Sequence, residues 1–195
     1  MSILRTILAI CALALALPAS AEEETTPSGT RTEAEGEKSL GQLFKALAGA
    51  ESPAEADLIE LAVLARLSHT DSPSEALILR QATALFKEGD LEPSRKKLDV
   101  LIEVAPDYTE GWNSRAIIHR EQGNYAAAVS DLQRVLVIEP RHFIALTLLG
   151  VIFEEMGQPK SALKAWEAAL EIHPHLEGGK ETIRKLTNEV KGRGI

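Results

Sequence analysis

Hydrophobic residues recur at helical spacing along most of the chain. A first series, three and four residues apart, comprises Leu40, Leu43, Phe44 and Leu47. A second series comprises Leu58, Leu61, Leu64 and Ala65. Apolar positions at these spacings share one face of a helix. Between the two series, Ser52-Pro53-Ala54-Glu55 places a capping serine before a proline and a glutamate. The pattern predicts an antiparallel helix pair over 39–68.

A period of 34 residues organises the chain after this pair. At this offset glycine recurs at Gly89, Gly123 and Gly157, and proline at Pro106, Pro140 and Pro174. Two further columns hold small residues, namely Ala82, Ala116 and Gly150, and Ser94, Ala128 and Ala162. Glycine permits the backbone conformation that ends a helix, proline prevents a helix from continuing, and small side chains let paired helices approach closely. The period predicts helical hairpins stacked in series.

Start signals agree with these stops. Ser72-Pro73-Ser74-Glu75 and Asp107-Tyr108-Thr109-Glu110 each place a capping oxygen three residues before a glutamate, which predicts a helix start at each. After the last proline, Ile183, Leu186 and Val190 share one face of a predicted helix. We assign 177–192 as a capping helix, because a stack of repeats needs its last apolar surface covered.

The units 75–108, 109–142 and 143–176 resemble tetratricopeptide repeats. The second unit carries the family pattern as Trp112, Ala116, Gly123, Tyr125, Ala128, Leu132 and Pro140. The third carries it as Leu146, Leu149, Gly150, Phe153, Ala162, Trp166 and Pro174. The resemblance implies an all-α fold over 39–192, a right-handed superhelical solenoid of antiparallel helix pairs with terminal capping helices. The pair at 39–68 would then be a degenerate opening repeat or a cap.

The resemblance also implies that the first helix of each pair lines a concave groove, which binds an extended peptide or a helix of a partner protein. The groove positions are Leu79, Thr83, Phe86, Lys87, Asn113, Ile117, Arg120, Thr147, Val151 and Glu154. The same count includes Glu110, Glu121, Ile144 and Glu155. Asn113 would bond a partner's backbone, and the acidic end would favour a basic or amphipathic segment. For any single apolar groove residue, packing against a neighbouring repeat is as good an explanation as contact with a partner.

Family members that bind chaperone carboxyl termini use lysine, asparagine and arginine side chains to grip a carboxylate. The corresponding positions here hold Leu79, Thr83, Ser114, Ile144 and Leu148. The resemblance therefore does not extend to that function.

Arg115 is a possible polar site, because it lies where the family usually has leucine; Gln81 departs from the pattern in the same way. The guanidinium of Arg115 either pairs internally with an acid such as Asp131 or faces the groove. A partnered charge is the more tolerable of the two beside a helix interface.

The histidines predict neither catalytic residues nor metal ligands, and we expect a non-enzymatic protein without a cofactor. His173-Pro174-His175 is the nearest approach to a metal pair, but a solvated turn explains it more simply. His119 takes a slot where the family has an aromatic residue, so we expect a packed ring with one bonded nitrogen.

Residues 1–21 have the layout of a cleaved secretory signal. Arg5 precedes an apolar run at 7–17, and Ala19-Ser20-Ala21 predicts cleavage before Glu22. The run is shorter than the ~20 residues that span a bilayer, so we expect no stable membrane anchor after cleavage. An uncleaved anchor is the alternative. Export points to the periplasm, or else to secretion.

Composition and charge bear on the linker, on disulfides and on nucleic-acid binding. Residues 22–38 are acidic and poor in apolar residues, which predicts a disordered linker. Cys11 is the one cysteine and lies in the signal, so the processed chain has no disulfide. Without Arg5 the 21 basic residues become 20, against 29 acidic ones, a formal net charge of −9 that disfavours nucleic acid.

These observations predict a protein-protein interaction scaffold or adaptor in the periplasm. The alternative is a structural subunit of an envelope assembly complex that associates with itself through its repeat ends. The sequence does not predict the oligomeric state.

Overall fold

The computed structural model describes residues 39–192, where the chain forms nine α-helices and no strand. They are α1 Leu40–Ala48, α2 Pro53–Leu67, α3 Pro73–Glu88, α4 Leu91–Val104, α5 Thr109–Glu121, α6 Tyr125–Ile138, α7 Phe143–Glu155, α8 Pro159–Ile172 and α9 Gly179–Gly192. None of these helices is long and apolar enough to cross a membrane. The predicted signal at 1–21 and linker at 22–38 lie outside the described residues.

Three helical hairpins, α3–α4, α5–α6 and α7–α8, stack in series, which confirms the all-α solenoid. Each hairpin packs against the next through its second helix, and the first helices α3, α5 and α7 are neighbours in the same order. A glycine with a left-handed backbone follows the end of the first helix of each pair within two residues: Gly89, Gly123 and Gly157 have φ values of 88°, 75° and 67°. A residue with a Cβ is disfavoured in this conformation.

Small residues hold the paired helices close together. Ala82, Ala116, Ala128 and Ala162 are all buried where the helices of a pair cross. Where the first repeat has serine instead of alanine, the Ser94 hydroxyl donates a 2.7 Å hydrogen bond to the Ala82 carbonyl oxygen. The serine therefore satisfies its own buried polar group and keeps the helix spacing.

Helix α9 covers the exposed side of the last hairpin, as a capping helix should. Leu186 is buried beside Ala162 and Trp166, and Ile183 packs against the same cluster. The polar residues of α9 face away from α8, so the stack ends on a solvated surface.

The amino-terminal hairpin α1–α2 does not open the stack as expected. Its buried residues, which include Phe44, Leu47 and Val63, form one cluster with Phe143 at the start of α7. Ile172 and Leu176, at the end of the last repeat, pack against the same cluster. The hairpin has therefore folded back on the third repeat, and neither of its helices packs comparably against α3 or α4.

Polar contacts fix the hairpin at the turns between repeats. The His175 Nε2 lies 2.9 Å from the Ala50 carbonyl oxygen, and the Tyr108 hydroxyl donates a 2.6 Å bond to the Ser68 carbonyl. The Arg141 guanidinium lies over the Phe44 ring, 4.6 Å from its centroid. These contacts join the hairpin to three successive turns of the solenoid.

Because the hairpin lies elsewhere, the outer side of the first repeat stays open. Leu77 on α3 and Val100 and Val104 on α4 are exposed. Gln81, which stands where the repeat family usually has leucine, is exposed on α3 and therefore needs no buried hydrogen-bond partner.

A helix begins at each of the three predicted start signals, but only two of the three predicted capping side chains are correct. Ser52 and Ser72 each accept a hydrogen bond from the backbone of the glutamate three residues on. Asp107 does not cap α5, which has Tyr108 at its cap without a side-chain bond. Its carboxylate lies 3.4 Å from Arg134 instead, and Glu110 is buried close to His142.

Candidate protein-binding face

Helices α3, α5 and α7 present a continuous side of the solenoid, which we call the first-helix face. Each of these helices contacts the next one along the stack. The ten predicted groove residues lie on these three helices, but the structure divides them into a buried and an accessible group.

Four of the predicted groove residues are buried and unavailable to a partner in this conformation. Leu79 and Ile117 belong to the hydrophobic core between repeats. Asn113 and Thr147 are each only 2% exposed. The Thr147 hydroxyl donates to the Phe143 carbonyl oxygen at 2.8 Å, whereas the Asn113 Oδ1 finds no hydrogen-bond partner among the described residues. Asn113 therefore does not present its amide to a partner's backbone.

The start of the face is closed by the chain itself. Ile144, on the first turn of α7, packs against the cluster formed by the α1–α2 hairpin. Glu110, on the first turn of α5, is buried with its Oε1 3.5 Å from the His142 Nε2. Glu110 is therefore closed to a partner segment, and Ile144 is partly covered by the hairpin.

The accessible group lies in the second halves of the three helices. It comprises Thr83, Phe86, Lys87, Arg120, Val151 and Glu154. Phe86 is half-buried and packs against the core clusters of both the first and the second repeat. Thr83 donates its hydroxyl to the Leu79 carbonyl at 2.9 Å, so it offers a partner mainly its methyl group. Lys87 is exposed.

Arg120 joins the second and third repeats across this face. Its Nε lies 2.9 Å from Glu155 Oε2, its second amino group also bonds Glu155, and its Nη1 lies 3.0 Å from Glu121. Burial by itself would lower the pKa of Arg120. The hydrogen bond to Glu155 and the charges of the nearby carboxylates outweigh this effect and raise the pKa. The guanidinium is therefore a fixed positive charge between two acidic side chains.

Glu154 joins the third repeat to the capping helix. Its Oε1 accepts a 3.1 Å hydrogen bond from the Trp166 indole, and its Oε2 lies 3.2 Å from the Lys185 ammonium. With Arg120 on Glu155, these contacts compensate much of the negative charge that the sequence placed at this end. The electrostatic attraction for a basic partner is correspondingly smaller than the count of glutamates suggests.

Arg115 takes the internal alternative. Its Nε and Nη2 bond both carboxylate oxygens of Asp131 at 2.9 and 2.7 Å, and its Nη1 bonds Asp99 at 2.9 Å. The hydrogen bond to Asp131, followed by that to Asp99, raises the pKa of Arg115 against the opposing effect of burial. The guanidinium also lies 5.0 Å from the centroid of the Trp112 ring. Arg115 thus ties the first and second repeats together instead of serving a partner.

His119 is packed as expected, but the expected bonded nitrogen is absent. Its Nδ1 is buried without a partner, and its Nε2 lies 3.9 Å from Asp131, too far for a hydrogen bond. Arg115 already engages both oxygens of that carboxylate. Burial lowers the pKa of His119, and Asp131 only partly opposes this effect, so the ring is neutral at pH 7.

The turn at His173 is not solvated, contrary to expectation. His173 is 1% exposed, its ring packs edge-on against Phe143 at 5.3 Å, and its Nε2 lies 3.1 Å from Glu60 of α2. Within residues 39–192 no group of three or more His, Cys, Asp or Glu residues is arranged to hold a metal ion. The two histidines of this turn are instead part of the attachment of the amino-terminal hairpin.

Sequence comparison agrees with this architecture. A model of the family described as Tetratricopeptide repeat matches residues 79–142 and 115–177. A TPR repeat-containing protein of Rhizobium etli is 32% identical over 176 residues, which cover 90% of this chain and 86% of that protein. Small glutamine-rich tetratricopeptide repeat-containing protein 2 of Saccharomyces cerevisiae is 26% identical over 118 residues, 60% of this chain and 34% of its own.

Solved structures share the fold. The first TPR of Spaghetti (RPAP3), bound to an HSP90 peptide, superimposes with a TM-score of 0.59 at 19% identity, covering 63% of this chain and 98% of that one. The Sgt2 TPR domain from Aspergillus fumigatus gives a TM-score of 0.57 at 16% identity, over 63% and 83% of the two chains.

The Arg115 pairing yields a stability prediction. Asp131→Asn removes the buried two-oxygen partner of a largely buried guanidinium, so we expect a loss of about 1–3 kcal/mol in the free energy of unfolding. Asp99→Asn, the matched control, weakens one bond to Arg115 and one to Arg95 at a more exposed carboxylate and should cost less than about 1 kcal/mol. Urea denaturation measures both. Equal effects of the two substitutions would contradict the assignment of Asp131 as the principal partner.

Proposed function

Because the chain belongs to the tetratricopeptide repeat family, we propose that it is a non-enzymatic scaffold that binds a segment of a partner protein on its first-helix face. The observation that carries this proposal is the run of accessible side chains along the second halves of α3, α5 and α7. Phe86 packs against the core of the second repeat, Arg120 bonds Glu155 of the third, and Glu154 bonds Lys185 of the cap. A partner laid along this run would contact every repeat.

The chemistry of the run favours an amphipathic partner segment. Phe86 and Val151 are half-buried apolar side chains, and burying what remains of their surface would supply most of the affinity. Glu121 and Glu155 are exposed carboxylates on the same face. Because one guanidinium, that of Arg120, bonds both of them, one net negative charge remains here to attract basic groups of the partner. An extended peptide or a helix with apolar residues on one side and lysine or arginine on its edge has this character.

A chaperone carboxyl terminus is a less suitable partner. Leu79 and Leu148 are buried, and Ile144 packs against the α1–α2 hairpin, at three of the positions where carboxylate-gripping relatives carry polar side chains. The likeness to a domain bound to an HSP90 peptide therefore supports the binding of a protein segment but not this particular ligand.

The face can be tested by reversing charges along it. Glu121→Lys and Glu155→Lys should each reduce capture of the partner from an envelope extract of the producing cell by roughly tenfold, which corresponds to about 1.4 kcal/mol, because each reverses a carboxylate that would attract the partner's basic groups. Quantitative mass spectrometry of the captured proteins measures the change. Glu121 is exposed and bonds a single amino group of Arg120, so its variant should fold normally even if Glu155→Lys loosens the repeat junction.

Glu103→Lys is the matched control, since Glu103 is exposed on α4, the second helix of its pair. It should leave capture unchanged. If all three variants retain the same captured proteins, the first-helix face is not the binding surface.

We place the protein in the periplasm, where it would act as an adaptor held beyond the acidic segment at 22–38. Amino-terminal sequencing of the protein from a periplasmic fraction should give Glu22 as the first residue, because Ala19-Ser20-Ala21 has the small residues that signal peptidase needs. A protein that begins at Met1 or remains in the cytoplasm would refute this placement.

A further inference from the structure

Helix α2 is apolar on two opposite sides. One side, with Ala56, Val63 and Leu67, is buried in the cluster that holds the hairpin on the third repeat. The other side exposes 72% of Leu58 and 47% of Leu61. Ala54, Ala62 and Ala65 are exposed along the same stripe. No other element of residues 39–192 covers this stripe.

The stripe is symmetric about its own centre. Ala54 and Ala65 are equally far from the point between Ile59 and Glu60, and so are Leu58 and Leu61. Two such helices related by a twofold axis and running antiparallel would place Leu58 of one copy on Leu61 of the other. Ala54 would meet Ala65 at each end, where small residues let helix axes approach.

The charges beside the stripe also match this arrangement. Glu55 and Arg66 are both exposed and lie about three turns apart on the same flank of α2. Antiparallel pairing brings the long side chain of Arg66 within reach of Glu55 of the second copy at both ends. A parallel pair related by a twofold axis would instead place the Glu55 and Arg66 flanks of the two copies on opposite sides of the interface, where these charges could not meet. Carboxylates, not lysines, predominate on the flanks, which disfavours an anionic membrane surface as the occupant.

We propose that the exposed side of α2 is a self-association surface, on which two copies of the chain pair antiparallel through Ala54, Leu58, Leu61 and Ala65. One helical stripe is small against the roughly 800 Å² per partner of a standard interface. The dimer is therefore weak and forms only as concentration rises. The proposal is independent of the binding function of the first-helix face, which lies on other helices.

Sedimentation equilibrium of the protein purified from its producing cell tests this proposal across a wide concentration range. We expect a reversible monomer-dimer equilibrium, and Leu58→Glu should weaken it at least tenfold, because the substitution buries a charge at the centre of the interface. Val137→Glu is the matched control, since Val137 is equally exposed, at 70%, but lies on α6. It should leave the equilibrium unchanged.

A charge exchange tests the orientation. Glu55→Arg and Arg66→Glu should each weaken the dimer several-fold, and the double variant should restore it, because each ion pair is rebuilt with its charges reversed. Circular dichroism checks that α2 remains helical, since Glu55 lies in its first turn. A protein that is monomeric at every concentration, a dimer indifferent to Leu58→Glu, or a double variant no better than the single ones would overturn the proposal.

Discussion

The close approach of the two helices in each hairpin is the constraint on which the rest of the structure depends. Small residues occupy both sides of each crossing. The limit on side-chain size is strictest in the third repeat, because a Cβ on Gly150 would lie 2.6 Å from both Cδ1 and Nε1 of Trp166. The helix spacing within each hairpin sets how it meets the next one. The same contact reaches the first-helix face, since the Trp166 indole that lies against Gly150 also donates to Glu154.

The amino-terminal hairpin decides which part of that face remains open. It uses the apolar start of α7 and the end of the last repeat as its docking surface, and so partly covers Ile144. The second halves of α3, α5 and α7 are left for binding. The same placement leaves the outer side of the first repeat and one side of α2 without a cover. One intramolecular interface therefore determines the accessible surfaces of the chain.

Most of the solenoid follows from its sequence, because its signals are local and repeat. The glycines and prolines in register place the ends of the helices from α3 to α8, and the small columns identify the helix crossings. The position of the α1–α2 hairpin could not be deduced in this way. It depends on contacts between residues far apart in the chain, such as Glu60 with His173 and Ser68 with Tyr108.

The sequence predicts which helices form the candidate face, but not which of their residues are accessible on it. Spacing identifies which side chains of a first helix point away from its partner helix, but not which of them are buried in the folded chain, as Asn113 and Thr147 are. The sequence does carry one signal for this burial: α7 begins with Phe143 and Ile144, two large apolar residues, where α5 begins with Thr109 and Glu110. Asp131 was identifiable as the partner of Arg115 because a charge beside a helix interface requires one.

Substitution of Gly150 by alanine tests the central constraint most directly. Alanine favours a helix over glycine by about 1 kcal/mol, yet the added methyl group must push Trp166 away. We expect a net loss of roughly 1–2 kcal/mol in the free energy of unfolding by urea denaturation. In Gly41→Ala, the control on α1, the nearest atom to the new Cβ is 3.7 Å away and stability should be unchanged or higher. A Gly150→Ala protein as stable as the original would contradict the account.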